Sequence, residues 1–588
     1  MVSALTVESI VGGRSTERLS RARRGNIRDL HGSSTARSRP RRGDLRHSPR
    51  PPASQSDRVG LRRLRGFRRA GRTAPRADLR RGAPARDLGG ADHHRPAPSP
   101  GAAVARRSGT GPRHARADAG RPAHPRAQGD PFHDLLRASR RPGGDRGPAR
   151  LLGGRAMSTA EAEVHVGREH RGDLRLDADV VIVGSGAGGA VVARLLAEAG
   201  QRVVMLEEGP HVPLSKYRQM RPSQHLRSLW RDGGMTVAVG VGDSPTINVT
   251  MGRCVGGSSM LTGGVCFRTP DRILDMWVRE RGLADLGPAA MRPHFDAVEG
   301  AIHVEEVPAD MRSRSTQLFD VGATKLGHPL KPLRRNTKGC RGCGRCNFGC
   351  PEGAKMSVDL SYLPQAVQDG AQIWSDCRVD GVMIEGGRAV GVTGRVLNGG
   401  GRPWRRNEGG KLEVRAARVV LAAGSYHTPL ILMRSGVGRK NRHVGRHMTV
   451  HPAFRMFARF DEPVNGWRGA LQSAYSDHFE EQGYTLVSLF IPPGVLAATM
   501  PGFGAELSEG AKAVPYISVM GGMIHDEGGG VVRRGPGREP IVTYRMDRKD
   551  RASIPELIRI MAKTYFAAGA KQVFPPILGQ APVDADGF

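Results

Sequence analysis

Three clusters in this chain have residue types and spacings that can do chemistry. The first is Gly184-Ser-Gly186-Ala-Gly188-Gly189, followed by an acidic residue, Glu207. Glycines remove the Cβ, so the backbone of such a turn can approach a pyrophosphate closely. A helix N-terminus behind it faces the negative charge, and Glu207 can accept from a ribose hydroxyl. The second cluster is Gly252-Arg253, Gly256-Gly257-Ser258-Ser259 and Gly263-Gly264. Paired glycines and serines let a backbone pass flat against a planar ligand and aim N–H groups at it. The third is Cys340-x-x-Cys343-x-x-Cys346-x-x-x-Cys350-Pro351, four thiols close enough to share a metal or an iron–sulfur cluster.

A glycine turn means little unless the right elements flank it. Val180-Val-Ile-Val183 is a buried strand by its β-branched run. The stretch from Ala190 to Gly200 carries Val191, Val192, Leu195, Leu196 and Ala199 on one helical face. Val203-Val-Met-Leu206 is a second strand that ends at Glu207, at the separation a dinucleotide fingerprint requires. Spacing alone leaves FAD and NAD(P) both open. Further on, Ala289 to Val304 and Thr316 to Leu326 have helical periodicity, and Val379 to Val396 alternates like strands around Gly386-Gly387. Phe454 to Phe457, Tyr484 to Phe490 and Val542 to Tyr544 are short strand-like runs.

The second cluster resembles the first signature of the glucose-methanol-choline (GMC) flavin oxidoreductases: Gly252-Arg253, Gly256-Gly257-Ser258-Ser259, Gly263, then Phe267 and Arg268. Thr262 stands where the family has Asn, which removes one amide contact toward the flavin. Ala422-Ala-Gly424-Ser425-Tyr-His-Thr428-Pro429, then Ser435-Gly436-Val437-Gly438, resembles the second signature, and the likeness runs in order from residue 178 to about 575. It implies FAD as cofactor and an α/β fold: a Rossmann-like, three-layer FAD-binding domain with an α+β substrate domain on an antiparallel sheet. The expected division is 177–275 and 371–450 for the FAD domain, 276–370 for helices and the cysteine loop, and 451–575 for the substrate sheet and helix. Val379 would lie near the adenine, with Gly424 and Ser425 at the cofactor. Oxidation of a small-molecule alcohol, by hydride transfer from its CH–OH carbon to the flavin, is the implied reaction. The family's catalytic histidine and its partner lie in a C-terminal stretch that does not follow here, where 576–588 is expected to be a truncated tail. No catalytic residue is named, and His427, His451 and His525 are each expected to be structural.

The cysteine spacing is that of a bacterial ferredoxin loop, with Gly339, Gly342, Gly344 and Gly349 permitting tight turns. Three readings compete: an iron–sulfur cluster, a loop without metal, and zinc. Zinc sites prefer two separated knuckles or added His, and none lies nearby. Iron–sulfur is the expectation, since some cysteine-bearing sugar dehydrogenases in this superfamily end the stretch in a similar Cys-Pro-x-Gly-Ala; here that is Cys350 to Ala354. Such a cluster would favour a dehydrogenase that passes electrons to a partner. Cys254, Cys266 and Cys377 are isolated and are expected to be buried small residues.

Net charge is +34, yet residues 1–156 carry +24 of it, with 36 Arg, no Lys and two aromatic residues (Phe67 and Phe132). That segment cannot bury enough apolar surface to offset its ordering entropy. A disordered basic arm, a transit segment and a misread stretch ahead of Met157 are the alternatives, the last preferred because a selected basic arm mixes Lys with Arg. No stacking pattern accompanies the arginines, so no nucleic-acid partner is expected. No membrane span is expected, and the grouping of the seven cysteines points to a reducing, cytoplasmic setting.

Overall fold

Val180, Val181 and Ile182 have no solvent exposure, which is where an unbroken β-branched run belongs: inside a sheet covered on both faces. The computed structural model describes residues 162–398, 407–438, 440–500, 504–577 and 579–588. The arginine-rich segment 1–156 and its expected disorder lie outside the described residues. Seven strands build the main sheet: β1 (His165–Val166), β2 (Leu174–Val183), β3 (Val203–Leu206), β4 (Gln372–Ser375), β5 (Cys377–Glu385), β6 (Arg388–Asn398) and β7 (Asn407–Leu421). Their order is β1-β4-β3-β2-β7-β6-β5. The links from β1 to β7 are parallel, and the last two are antiparallel.

Helix α1 (Ala187–Glu198) joins β2 to β3 and buries Ala190, Ala193, Leu196 and Ala197 against Val180, Ile182 and Met205. Val181, Val183, Val204 and Leu206 point to the opposite face, with Val379, Val392 and Val414. The two-residue alternation of a strand thus splits one apolar run between two cores. The β5–β6 hairpin turns at Gly386 and Gly387, with φ of 56° and 79°, and sets Glu385 opposite Arg388. Both positions are left-handed, which the two glycines tolerate and β-branched residues would not.

A second, antiparallel sheet has six strands in the order Gln572–Phe574, Ala453–Arg459, Ile517–Ile524, Tyr484–Ser488, Ala474–Ser476 and Lys331–Pro332. Helix Arg314–Lys325 and a long helix, Arg548–Ala567, pack Leu318, Phe319, Leu557, Met561 and Tyr565 into its core. One expectation is corrected here. Val542 to Tyr544 is a strand, but it belongs to a separate four-stranded sheet with Gly530–Arg534, Val237–Gly240 and Ile247–Asn248, running parallel to Val237–Gly240. Alternation identifies a strand; it does not identify its partner. No helix among the described residues is long and apolar enough to cross a membrane.

Candidate cofactor site

At the C-terminal end of β2, Gly184 N donates to Leu206 O at 2.8 Å, and the chain turns into α1. The next residue ties the site together. Ser185 donates to Glu207 Oε2 from its backbone N at 3.1 Å and from Oγ at 2.7 Å, while the same Oγ accepts from Gly256 N at 3.1 Å. Gly209 N donates to Glu207 Oε1 at 2.8 Å. Burial pushes the Glu207 carboxyl up from its ordinary value, against the pull of the bonds from Gly209 and Ser185. The two glycine clusters meet backbone to backbone: a Cβ on Gly257, at φ 55°, would stand 2.9 Å from Gly186 Cα. On the other side of Gly186 and Gly188 the space is open.

That open space is a cavity of about 780 Å³. Its wall includes Gly184, Gly186, Gly188, Glu207, Gly252, Gly257, Ser258, Ser259, Val379, Gly424 and Ser425. The structure therefore brings most of the sequence-identified positions together from five separate stretches. The remaining ones support the wall from behind. Gly189 packs where a Cβ would strike Gly184 O, Arg253 N donates to Leu229 O at 2.7 Å, Gly256 N bonds Ser185, and Gly263 O accepts from Arg335 Nε at 2.9 Å.

Sequence reasoning missed several groups on the same wall. Arg231 binds Glu208 at 2.6 Å and both carboxylate oxygens of Glu539 at 3.2 Å, and His427 Nε2 lies 3.0 Å from Glu539 Oε2. Burial would raise the Glu539 carboxyl, but the His427 bond and the Arg231 charge bring it down to about 2. Tyr426 OH and Asn336 Oδ1 are buried with no protein partner, and both residues line the cavity. A polar atom left in that state costs about 1–3 kcal/mol, so the wall suits a ligand that carries polar groups of its own. An open glycine cradle, unpaired polar atoms and a volume of this size fit a dinucleotide cofactor. Asn336 and Glu539 fall outside both signatures, and no spacing rule points to either.

The cysteine loop behaves differently. Cys340, Cys343, Cys346 and Cys350 line one small cavity of about 10 Å³, room for one water. The neighbouring Cys350 and burial push the Cys343 thiol up, while Cys343 holds the Cys350 thiol down, to about 5. Arg335 Nη2 donates to Cys346 Sγ at 2.9 Å. Beside it, the buried Lys355 Nζ donates to Met260 O, Thr262 O and Cys346 O at 2.7, 2.8 and 3.0 Å. Among the described residues no group of three or more His, Cys, Asp or Glu side chains is placed to hold a metal ion. The expected iron–sulfur cluster at Cys340, Cys343, Cys346 and Cys350 thus finds no support, and a guanidinium takes the Cys346 sulfur. Of the isolated cysteines, Cys254 and Cys377 are buried as expected, whereas Cys266 is half-buried.

Residues 178–453 match the GMC oxidoreductase family. An uncharacterised GMC-type oxidoreductase of Mycobacterium tuberculosis is 39% identical over 407 residues, which cover 69% of this chain and 62% of that one. Another, from Sinorhizobium fredii, is 33% identical over 421 residues, or 71% of this chain and 80% of that one. A long-chain-alcohol oxidase of Arabidopsis thaliana is 27% identical over 421 residues, 68% and 54% of the two chains. The chain belongs to the GMC oxidoreductase family. It spans 62% of the length of the Mycobacterium relative.

Proposed function

We propose that this protein oxidises an alcohol CH–OH group to the carbonyl, with FAD in the 780 Å³ cavity, and passes the electrons on to an acceptor. The observation that carries this reading is the convergence of both glycine clusters and the 422–425 turn on one cavity. Gly184, Gly186 and Gly188 admit the pyrophosphate at the N-terminus of α1. Glu207 already accepts three bonds, and a carboxylate has about four acceptor positions, which leaves one for a ribose hydroxyl. Val379 would hold the adenine, and the backbone from Gly257 to Gly264 would hold the isoalloxazine. Asn336 supplies the side-chain amide that Thr262 lacks, since its Oδ1 is unpaired while Nδ2 is anchored on Met356 O at 3.0 Å.

FAD held there would supply the hydride acceptor for the carbinol carbon. The likeness to the plant long-chain-alcohol oxidase supports a long-chain alcohol as substrate. Seven cysteines without a disulfide support a reducing, cytoplasmic setting. The case for a dehydrogenase rested on the iron–sulfur cluster and loses that support, so oxygen and an electron-transfer partner are both assigned by experiment. Incubated with excess FAD and desalted, the full chain should keep an absorbance band at about 450 nm, and anaerobic addition of a long-chain primary alcohol should bleach it. Admitting air or a quinone then identifies the acceptor by which one restores the band. Folded protein that stays colourless would sink the proposal.

A further inference from the structure

Ala238, Ile247, Val532, Val542 and Tyr544 turn one face of the four-stranded sheet into the core. Strand alternation puts their neighbours on the opposite face, which on a half-buried sheet is normally polar. Here it is apolar. Val237, Val239 and Ile541 are 41%, 47% and 46% exposed, and Met235, shortly before the strand, is 62% exposed. The register joins them into one surface: Val239 lies beside Thr543, Thr543 opposite Val531, and Ile541 opposite Arg533. Arginines border that surface. Thr543, Val531 and Arg533 also line a cleft of about 740 Å³, with Arg545, Arg548 and Arg551 around it. The acids of the cleft are engaged: Asp243 accepts from Arg551 at 2.8 Å, Glu527 lies 4.0 Å from Lys549 Nζ, and Asp547 accepts from Lys549 N at 2.8 Å. Among the described residues Arg545 and Arg548 have no ion-pair partner, and Arg533 donates to Thr543 Oγ1 alone.

We propose that this face docks on an anionic phospholipid bilayer, with its apolar side chains at the headgroup–acyl boundary and Arg533, Arg545 and Arg548 on the phosphates. Charge complementarity selects the occupant. A second copy of the chain would bring the same unpaired arginines, and the arginine-rich segment 1–156 is basic as well, so both meet the rim with like charge. A bilayer meets the arginines and the apolar strip together, because its phosphates and acyl chains lie in adjacent layers. The contact lies on the membrane surface and needs no spanning helix. Neither the apolar strip nor the three arginines line the cofactor cavity, so the proposal does not rest on the alcohol reading and can fail separately from it.

The test uses the full chain with sucrose-loaded vesicles, either of phosphatidylcholine alone or of phosphatidylcholine with phosphatidylglycerol. Co-sedimentation with the anionic vesicles and not with the neutral ones is the expected result. Because the segment 1–156 can also reach anionic lipid by charge, the place of contact is read by hydrogen–deuterium exchange. Peptides covering 235–241 and 530–548 should exchange more slowly on the anionic vesicles. V239D and I541D should each weaken binding about tenfold, and R545S and R548S about fivefold each, with FAD retention unchanged. The exchange map of the parent chain needs no variant to fold. Absence of sedimentation, protection confined to 1–156, binding that survives V239D and I541D, or self-association that those two variants abolish would each overturn the proposal.

Discussion

Ser185 is a small residue between two glycines, yet its hydroxyl bonds both Glu207 and the second glycine cluster. Ser185→Ala leaves a buried carboxylate and a buried N–H each short of a partner. The expected cost is about 1–3 kcal/mol of folding stability, read as a lowered Tm, with weaker FAD retention. Asn336→Ala separates the two effects. It gives up one internal bond, to Met356 O, worth about 1 kcal/mol, but it also removes the proposed flavin amide contact. We expect about a tenfold rise in the FAD dissociation constant with only a small change in Tm. Equal FAD affinity in the variant would remove Asn336 from the site.

At the scale of elements, two interlocks hold the cavity wall. One is the contact of the turn after β2 with the turn at 256–257. Gly257→Ala places a Cβ 2.9 Å from Gly186 Cα at a φ of 55°, so one turn must shift or the backbone must change region. Loss of about 1–3 kcal/mol and failure to retain flavin on desalting are the expected outcomes. The other is Lys355, whose ammonium holds three carbonyls, two from residues 260–262 and one from the cysteine loop. Lys355→Met keeps the length of the side chain but leaves those carbonyls without their donor. Destabilisation of about 3 kcal/mol is expected, measured by urea unfolding. A variant as stable as the parent would show that the clamp contributes nothing.

For the whole molecule, the acid limb of stability tests the ion pairs between elements. Glu299, on helix Pro288–Ala301, accepts from Arg268 at 2.8 and 2.6 Å and from Arg334 at 2.8 and 2.9 Å. The Arg268 bonds outweigh burial, and with those from Arg334 they hold its carboxyl at about 2 rather than 4.5. A carboxyl held lower in the folded than in the unfolded chain adds stability above the unfolded value, and that contribution is lost as pH falls from about 4.5 toward 2. Glu299→Gln should therefore lose on the order of 2 kcal/mol at neutral pH, after allowance for solvent screening, and show a shallower decline between pH 4.5 and 2. Parallel acid-unfolding curves for the two proteins would contradict this.

Local order determined what could be read without a fold. The β-branched run of β2, the glycines after it, the Gly386-Gly387 hairpin and the GMC signatures each depend on neighbours within a few residues, so periodicity and glycine placement were enough for them. Tertiary structure decided the rest, because its partners are far apart along the chain. Glu539 reaches His427 across 112 residues and Arg231 across 308, Asn336 joins a wall built from other segments, and the strand at 540–544 pairs with Val237–Gly240. The cysteines show the boundary most plainly: their spacing suits a cluster, but only the fold shows Arg335 donating to the Cys346 sulfur and Lys355 to its carbonyl.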